Sequence, residues 1–253
     1  MELRGRTALI TGGARRVGRA ITLALAGGGA HVVINYHTSA AEAESAAQEA
    51  LRLGVRALPI QADVADPEQV RAMFAAANQQ LGGVDILVNS SSLFKKTPFP
   101  TGDPGDWQRV TRILLDGAFY CANAAAPGML EKGAGLIVNI LDGAAWEPWP
   151  EYVAHCVGKA GLLALTRQLA LDLAPAVRVN GVAPGPVLPP PGSSPSRIAQ
   201  IAQRTLLRRW GTPEDVAQAV LFLVGADYIT GEVIVVDGGE RWAHRQATPR
   251  AGG

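Results

Sequence analysis

Two ionisable residues four positions apart, His155 and Lys159, are the first candidates for chemistry in this sequence. Both lie in "YVAHCVGKAGLLALTRQLA", which begins at Tyr152 and has the spacing of a long helix, so they share one face. Histidine titrates near neutrality and can act as a general acid or base, and a lysine beside it supplies a positive field. A histidine in a pocket can equally be a hydrogen-bonded structural residue, and both interpretations of His155 stay open.

A glycine-rich turn near the N-terminus predicts a phosphate site. The stretch "TGGARRVGRA" follows an apolar run at 6–11 and opens a helical pattern. Gly12, Gly13 and Gly18 allow a tight turn and a close backbone approach, and the helix N-terminus that follows attracts a pyrophosphate. Such a turn also occurs as an ordinary strand–helix corner. Its position in the first strand–helix–strand unit favours dinucleotide binding.

The end of the second predicted strand indicates which dinucleotide is bound. A site for NAD usually has Asp or Glu there, which holds the ribose 2′-hydroxyl. This strand ends in "INYHTS", which has no carboxylate, whereas Arg15 and Arg16 stand in the glycine-rich loop. A guanidinium can bind a 2′-phosphate through two hydrogen bonds, although loop arginines can also be solvated charge. The combination predicts NADP(H) as the cofactor.

Short apolar runs alternate with longer helical patterns along the chain. Runs typical of strands covered on both faces occur at 6–11, 30–36, 55–61, 84–89, 135–141, 177–183 and 232–237. Helical patterns occur at 17–28, 39–53, 67–81, 104–130, 152–174 and 213–225. Asp66 and Thr212 each precede a proline and acidic residues, which predicts them as N-caps. This alternation predicts an α/β fold, a doubly wound, seven-stranded parallel sheet with helices on both faces.

The same pattern predicts how the chain is divided. We expect one domain at 1–239 and a C-terminal tail at 240–253. Two irregular segments, 90–103 and 184–208, follow the C-terminal ends of strands, where ligands bind in such sheets. We therefore predict that these two segments are the substrate loops.

Composition favours a small-molecule ligand over a nucleic acid or a membrane. Lys and Arg number 23 and Asp and Glu 22, so there is no basic excess. No apolar run reaches the ~18 residues of a membrane span, and the N-terminus shows no leader sequence, so we expect a cytoplasmic protein. Cys121 and Cys156 form no CxxC pair, and no metal site is predicted.

Several motifs, taken in order, resemble the short-chain dehydrogenase/reductase family over residues 5–239. They are "TGGARRVG", "ADV", "DILVNSSS", the Asp142–Lys159 segment, "VNGVAPG" and "RWGTPEDVA…YITGEVIVVDGG". The resemblance implies a single Rossmann-like domain, a nicotinamide cofactor, hydride transfer and a homotetramer or homodimer. Within the family the sequence is most similar to the pteridine reductases. Like them it has arginine, Arg16, at the middle glycine of the loop, and aspartate, Asp142, in place of the catalytic serine.

The resemblance also implies the site residues. Asp142, His155 and Lys159 become the catalytic set, with histidine where the family has tyrosine. Leu114 stands where the family has a helix asparagine. The predicted substrate contacts are Ser92, Phe94, which would stack on a flat ring, Asp142 and Trp146. The predicted cofactor contacts are Gly12, Arg15, Arg16, Val17, Gly18, Tyr36, His37, Thr38, Ser39, Asp63, Val64, Asn89, Ser90, Ser91, Lys159, Pro184 and Gly185.

Two functions are favoured by this sequence, and a third, a simple ketoreductase of acyl or steroid type, is disfavoured by Asp142 in place of serine. The first is an NADPH-dependent reductase that acts on a pterin-like heterocycle or a related carbonyl. The second is a catalytically impaired, NADP(H)-binding family member that serves as a sensor or a non-catalytic subunit. The joint retention of Asp142, Lys159 and Phe94 favours the enzyme. Tyr152, three residues before His155, offers another proton donor if the helix includes it.

Overall fold

Seven parallel strands form one sheet in the computed structural model, which describes residues 1–190 and 192–245. The strands are β1 (Thr7–Ile10), β2 (His31–Tyr36), β3 (Ala57–Gln61), β4 (Ile86–Asn89), β5 (Gly135–Ile140), β6 (Val177–Pro184) and β7 (Val233–Val236). Their order in the sheet is β3-β2-β1-β4-β5-β6-β7, and every neighbouring pair is parallel. The predicted seven-stranded parallel sheet is confirmed.

Helices cover both faces of this sheet. They are α1 (Arg16–Gly27), α2 (Ala40–Arg52), α3 (Pro67–Leu81), α4 (Gly105–Thr111), α5 (Gly117–Glu131), α6 (Val153–Asp172), α7 (Pro195–Ala202) and α8 (Pro213–Gly225). Helices α1, α2 and α8 pack on one face, and α3, α5 and α6 pack on the other. The predicted doubly wound α/β arrangement is therefore confirmed. In the described part of the chain, none of the helices has the length and apolar character needed to span a bilayer.

Alternate side chains of the central strands serve the two helical layers. In β1, Ala8 and Ile10 join the core with Ile21 of α1, whereas Leu9 joins the core with Met73 of α3. Successive side chains of a strand point to opposite faces, so a strand covered on both faces must be apolar at nearly every position. Burial of this apolar surface, at about 25 cal/mol per Å², is the main stabilising contribution to such a core.

The two predicted N-caps are also confirmed. Asp66 accepts hydrogen bonds from the backbone N–H groups of Glu68 and Gln69 at the start of α3. Thr212 and Asp215 form a reciprocal capping box at the start of α8. Both helices begin with proline, whose missing N–H would have no partner in a first turn. A cap of this kind is typically worth ~1 kcal/mol of stability.

Three segments differ from what the sequence predicts. The predicted helix at 104–130 is a continuous helical run, but its middle, Arg112–Asp116, is π-helical and separates α4 from α5. Helix α7 lies inside the predicted loop at 184–208 and starts at an N-cap, Ser194. In the predicted tail, Glu240–Arg245 forms a 3₁₀ turn. Position 191 and the rest of that tail, 246–253, lie outside the described residues.

The strand order reverses direction between β1 and β4, and this point positions the site. Strands β2 and β3 lie on one side of β1, whereas β4 to β7 lie on the other. The connections that leave the C-terminal ends of β1 and β4 therefore diverge and leave a crevice between them. Ligands of doubly wound sheets bind in this crevice.

Candidate active site

A large cleft lies at the C-terminal ends of β1, β2, β4, β5 and β6. Its volume is about 1780 Å³, above the ~300–1,000 Å³ typical of one ligand pocket, so a dinucleotide and a second molecule can bind side by side. Every predicted cofactor contact except Asn89 lines this cleft, as do the predicted substrate contacts Ser92, Phe94, Asp142 and Trp146. Of the predicted catalytic set, Asp142 and Lys159 line it and His155 does not.

The glycine-rich loop packs so closely against the start of α1 that Gly18 has no room for a Cβ atom. Gly12 has a left-handed φ of +61°, and a Cβ atom at Gly18 would stand 2.2 Å from the carbonyl oxygen of Gly12. The first turn of α1 therefore begins directly against the loop. Its free N–H groups and the positive end of its dipole favour a phosphate at this point of the cleft. The backbone here fits the pyrophosphate of a dinucleotide.

Arg16 has a backbone conformation that usually requires glycine. Its φ is +53°, in the left-handed region that costs a residue with a Cβ atom roughly 1–2 kcal/mol. This explains physically why glycine is common at the middle position of such loops. A charged residue kept in spite of that cost suggests that its side chain has a function. The guanidinium lines the cleft and lies 3.4 Å from the carbonyl oxygen of Leu188.

The end of β2 presents polar but not acidic groups to the cleft. Tyr36, His37, Thr38 and Ser39 line it. The adjacent Asn35 is buried and braces the glycine-rich loop, since its Oδ1 accepts from the N–H of Gly12 and its Nδ2 donates to the carbonyl of Ala62. No side chain of this turn carries a negative charge that would repel a 2′-phosphate.

Asp63 is the carboxylate that follows β3 at the cleft. Its side chain accepts a hydrogen bond of 2.8 Å from Nη1 of Arg109 and another from the N–H of Ala65. Burial raises the pKa of Asp63, but these hydrogen bonds and the charge of Arg109 lower it overall. Arg109 lies on α4 and also lines the cleft. Its position was not predicted from the sequence, because only its contact with Asp63, in the loop after β3, brings it there.

Asn89 supports the cleft from below and does not line it. Its Nδ2 donates a 2.9 Å hydrogen bond to Oδ1 of Asn139, which ties the end of β4 to β5. Just beyond it, the N–H groups of Ser90 and Ser91 donate to the hydroxyl of Thr11. These bonds fix the loop after β4 against β1. The structure thus places Asn89 among the supports of the predicted cofactor contacts and not among the contacts themselves.

Asp142, His155 and Lys159 lie together at the end of β5. Oδ2 of Asp142 is 2.8 Å from Nε2 of His155, and its Oδ1 accepts a hydrogen bond from the N–H of Ala144. Lys159 lies one turn further along α6, and its ammonium donates a 2.7 Å hydrogen bond to the carbonyl oxygen of Ile140. Both His155 and Lys159 are buried. The geometry brings the three predicted residues into one group.

The charges of this group are strongly coupled. Burial raises the pKa of Asp142, but the hydrogen bond to His155 and the charge of Lys159 outweigh burial and lower it overall. Burial also lowers the pKa of Lys159, and the charge of Asp142 only partly opposes that change. At neutral pH the cleft therefore holds an ionised carboxylate at Asp142 beside a lysine whose ammonium is a stronger acid than usual.

Two rings cover the imidazole of His155 and a third packs against them, and we call Phe94, Trp149 and Tyr152 the aromatic cluster. Trp149 stacks on the imidazole with ring centroids 5.7 Å apart, and Phe94 meets it edge-on at 5.0 Å. Phe94 in turn stacks on Tyr152 at 4.6 Å. His155 keeps 1% of its surface exposed, while the three rings themselves line the cleft. Phe94 was predicted from the sequence as a site residue, whereas the covering of the histidine by Trp149 was not.

Two of these rings bear on predictions from the sequence. Phe94 is 58% exposed and has one face against Tyr152, so the remaining surface is open to a flat ligand in the cleft. Tyr152 is the N-cap of α6 and precedes the helix, so it does not extend the face that carries His155 and Lys159. The condition under which Tyr152 would act as a proton donor is not met.

Leu114 makes an apolar contact in place of a polar one. It lies in the π-helical segment, is buried, and packs with Val110 and Ala154. The segment approaches α6 so closely that a Cβ atom at Gly158 would stand 2.9 Å from Cδ1 of Leu114. The position at which the resemblance implies asparagine thus offers no polar group to the site.

Two further segments line the cleft, although none of their residues was predicted individually as a contact. Arg197 and Arg204, near the ends of α7, both face it. Glu240, in the 3₁₀ turn of the predicted tail, also lines it. Burial, together with the charge of Asp237, raises the pKa of Glu240. Arg204 follows the last residue of α7, so helical spacing in the sequence could not place the two arginines on one face.

Comparisons with known proteins agree with this architecture. A family model described as enoyl-(acyl carrier protein) reductase matches residues 12–240. The 3-oxoacyl-[acyl-carrier-protein] reductase of Synechocystis sp. is 34% identical over 241 residues, which are 94% of this chain and 97% of that protein. A blue fluorescent protein from a metagenomic library, solved in complex with NADPH, is 34% identical with a TM-score of 0.86, covering 95% of this chain and 99% of that one.

A second solved structure points the same way. The gluconate 5-dehydrogenase from Burkholderia cenocepacia J2315, in complex with NADP and tartrate, is 31% identical with a TM-score of 0.87. The match covers 95% of this chain and 97% of that one. A doubly wound sheet with a glycine-rich loop at its crevice is typical of dinucleotide-binding proteins. The chain belongs to the short-chain dehydrogenase/reductase family of oxidoreductases.

Proposed function

We propose that this protein is an NADP(H)-dependent reductase that transfers hydride to the C=N bond of a planar, pterin-like heterocycle or to a related carbonyl. Asp142, His155 and Lys159 form its altered catalytic set. The curated relatives are named as 3-oxoacyl reductases, which supports the carbonyl as the second substrate class. The resemblance of Phe94 and Asp142 to the pteridine reductases supports the heterocycle as the first.

The cleft fits NADP(H) at its glycine-rich end. Two solved relatives carry NADPH or NADP, which confirms the predicted cofactor for this kind of fold. In this chain the tight approach of Gly12 and Gly18 leaves backbone N–H groups for the pyrophosphate, and Arg15 and Arg16 would hold the 2′-phosphate. Lys159 would hold the ribose next to the nicotinamide. When bound, NADPH supplies the hydride.

The observation that carries the proposal is the carboxyl group of Asp142 at the cleft, where its side chain is 20% exposed. Reduction of a carbonyl builds negative charge on oxygen, which a neighbouring carboxylate opposes. Reduction of a C=N bond proceeds from the protonated form, whose positive charge a carboxylate stabilises. Two unit charges ~4 Å apart near a protein surface interact by roughly 4 kcal/mol, so the sign of this effect decides between the two substrates. Asp142 therefore favours the nitrogen heterocycle.

The aromatic surface of the cleft is consistent with a flat substrate. Phe94 offers an exposed ring after β4, and Trp146 offers another, 46% exposed, after Asp142. Aromatic rings bind flat ligands by offset stacking, which is worth about 0.5–1.5 kcal/mol beyond the area buried. A heterocycle stacked on Phe94 would present its N–H groups to Asp142. Phe94 would thus orient the substrate, and Asp142 would recognise its charge.

The test is a matched panel of substrates after NADPH binding has been confirmed by fluorescence. NADPH oxidation is followed with dihydrobiopterin, dihydrofolate, a 3-oxoacyl thioester and simple ketones. We expect kcat/KM for the dihydropterins to exceed that for the ketones by at least about 100-fold, as a charge effect of ~3 kcal/mol would give. Turnover of the 3-oxoacyl thioester alone would overturn the heterocycle and leave carbonyl reduction.

The assignment of the 2′-phosphate predicts the effect of Arg16→Gly. Glycine relieves the left-handed strain but removes the guanidinium, so NADPH affinity should fall by about 10- to 100-fold, the worth of one charge-assisted hydrogen-bonded contact. NADH affinity should stay unchanged, because NADH has no 2′-phosphate. Titration of protein fluorescence with both cofactors measures the two constants.

The matched control for this prediction is Arg19→Ala. Arg19 lies on the same helix, one turn on, but is paired with Glu49 and does not line the cleft. Its removal should leave both affinities within about threefold, since an exposed ion pair is worth under ~1 kcal/mol. An equal loss of NADH and NADPH affinity in Arg16→Gly would place Arg16 at the pyrophosphate instead.

Two observations favour a second function, an NADP(H)-binding protein without turnover that serves as a sensor or a non-catalytic subunit. His155 is covered by the aromatic cluster, and Leu114 offers no polar group. A protein of this kind would bind NADPH and oxidise it with no member of the panel. Turnover gained in His155→Tyr would then support this second function.

The domain organisation, the oligomeric assembly and the location of the protein are part of the same proposal. We propose one domain at 1–239 with substrate loops at 90–103 and 184–208, assembled as a homodimer or homotetramer in the cytoplasm. Exposed apolar side chains on α5 and α6, Phe119 and Leu171 among them, give such an assembly a surface to bury. Light scattering after size-exclusion chromatography measures the number of subunits.

A further inference from the structure

We infer that His155 is a positioning residue and not a proton donor: as a neutral imidazole with its proton on Nε2, it holds Asp142 as the carboxylate that meets the substrate. This inference rests on the proposed function, because it states how the altered catalytic set works. It assigns the contact with substrate to Asp142 and a supporting role to His155.

The hydrogen bonds of the imidazole fix the position of its proton. An ionised carboxylate only accepts hydrogen bonds, so Nε2 of His155, 2.8 Å from Oδ2 of Asp142, must carry a proton. Nδ1 is buried and has no hydrogen-bond partner among the described residues. A charged imidazolium would bury a second N–H donor there without an acceptor, whereas the neutral ring buries only a lone pair. The surroundings therefore favour the neutral ring with its proton on Nε2.

The access to the imidazole leads to the same assignment. A proton donor must approach within ≈ 2.6–3.2 Å of the atom it protonates, roughly hydrogen-bond reach. Trp149 covers one face of the ring of His155, Phe94 meets it edge-on, and the ring does not line the cleft. The side chain of Asp142 is 20% exposed and does line it. A substrate in the cleft thus meets the carboxylate, and the histidine stands behind it.

The ionisable groups around the ring come from three segments. Asp142 follows β5, Lys159 lies one turn along α6, and Tyr152 caps that helix. Lys159 carries a positive charge that opposes a second positive charge on the imidazole, whereas the carboxylate of Asp142, 2.8 Å from Nε2, favours one, so the buried Nδ1 without an acceptor decides the assignment. The carboxylate of Asp142 already receives the Nε2 proton as a hydrogen bond. Loss of that proton would leave an imidazolate, so it stays on the ring during the reaction.

The chemistry then balances without a proton from His155. The substrate enters with its C=N nitrogen already protonated, and Asp142 stabilises that positive charge. The hydride forms the new C–H bond, and the electron pair of the C=N π bond moves to nitrogen, which becomes a neutral amine. Asp142 remains a carboxylate from beginning to end. His155 is needed to hold its orientation and its charge.

Replacing His155 with glutamine and with leucine separates the two roles. The amide nitrogen of glutamine can donate to Asp142 from nearly the position of Nε2 but cannot deliver a proton, whereas leucine does neither. For a positioning residue we expect kcat in His155→Gln to stay within about tenfold of wild type and kcat in His155→Leu to fall by about 100-fold or more, the range of a lost orienting partner. The pH profile of kcat should have the same shape in wild type and His155→Gln.

A proton donor would give a different result. Both variants would then lose about 10²- to 10⁴-fold in kcat, and the variants would lack a limb of the wild-type pH profile. That outcome overturns the inference. His31→Gln is the control, since His31 lies at the start of β2, at the opposite end of the strand from the cleft, and should leave the pH profile unchanged.

A measurement without turnover keeps this inference separate from the proposed function. ¹⁵N NMR of histidine-labelled protein, with the His155 signal identified by its loss in His155→Gln, reports the protonation of each ring nitrogen. We expect a protonated Nε2 and an unprotonated Nδ1, because Nδ1 is buried without an acceptor among the described residues. A ring protonated on both nitrogens at the pH of the substrate panel overturns the inference. The expected spectrum together with an inactive substrate panel would overturn only the proposed function.

Discussion

Asp142→Asn is expected to lower kcat for a dihydropterin by about 10²- to 10³-fold, the typical cost of removing one preorganised electrostatic partner. Asparagine keeps the size of the side chain and can still accept the hydrogen bond from Ala144. It has no charge, so the protonated C=N group loses the counter-charge that the proposed reaction requires. Steady-state kinetics gives kcat and KM, and fluorescence titration gives the NADPH dissociation constant, which should change by no more than about threefold.

The control for this loss is a second carboxylate of the same cleft. Glu147 lines the cleft and is exposed, with no hydrogen bond to the catalytic set. Glu147→Gln should keep kcat within about threefold, because an exposed charge is largely screened by solvent. Equal losses in both variants would mean that the overall negative field matters and not the carboxylate at Asp142. A loss confined to NADPH affinity would instead make Asp142 part of cofactor binding.

The sheet could be predicted from the sequence because burial on both faces leaves little choice of residue. The apolar run at 135–141 corresponds to β5 at Gly135–Ile140, and each of the other strands also lies within its predicted run, except that β6 continues one residue further, to Pro184. The helices were less well defined. The π-helical turn at Arg112–Asp116 has the same kinds of residue as the helices around it, so the sequence does not distinguish it from them. Only the structure shows that Leu114 of this turn closely approaches Gly158 of α6.

Short exposed helices were the weakest part of the prediction. Helix α7 has no buried residue, so no face of it must be apolar, and its sequence lies between prolines that suggest an irregular loop. Its start signal, an N-cap serine followed by proline, is present at Ser194 and Pro195. Local capping chemistry was therefore a better guide to this helix than hydrophobic periodicity.

The cofactor end of the site was more predictable than the catalytic end. The glycine-rich loop places its residues through backbone geometry alone, so the spacing of Gly12, Arg16 and Gly18 in the sequence is sufficient. The accessibility of His155 instead depends on rings that arrive from two separate loops, Phe94 after β4 and Trp149 before α6. The sequence shows which residue is present, but only packing decides which atoms of it a substrate can reach.

Gly18→Ala is expected to abolish NADPH binding at concentrations that saturate the wild type, and to destabilise the fold by about 1–3 kcal/mol. The added Cβ would stand 2.2 Å from the carbonyl oxygen and 2.9 Å from the carbonyl carbon of Gly12. Both atoms are backbone, so no side-chain rotation relieves the contact. Either α1 or the loop must move by roughly 1 Å, a displacement that can cost about 10²-fold in an oriented site.

Gly27→Ala on the same helix separates this clash from the loss of a glycine as such. A Cβ atom at Gly27 would meet nothing within 4 Å, and the residue is exposed near the end of α1. Alanine there should leave NADPH affinity unchanged and raise stability by at most ~1 kcal/mol, because glycine is a poor helix former. Thermal unfolding and fluorescence titration measure both effects in both variants. If Gly18→Ala bound NADPH as tightly as Gly27→Ala, the phosphate would lie away from the first turn of α1, and the cofactor would have to be placed elsewhere in the cleft.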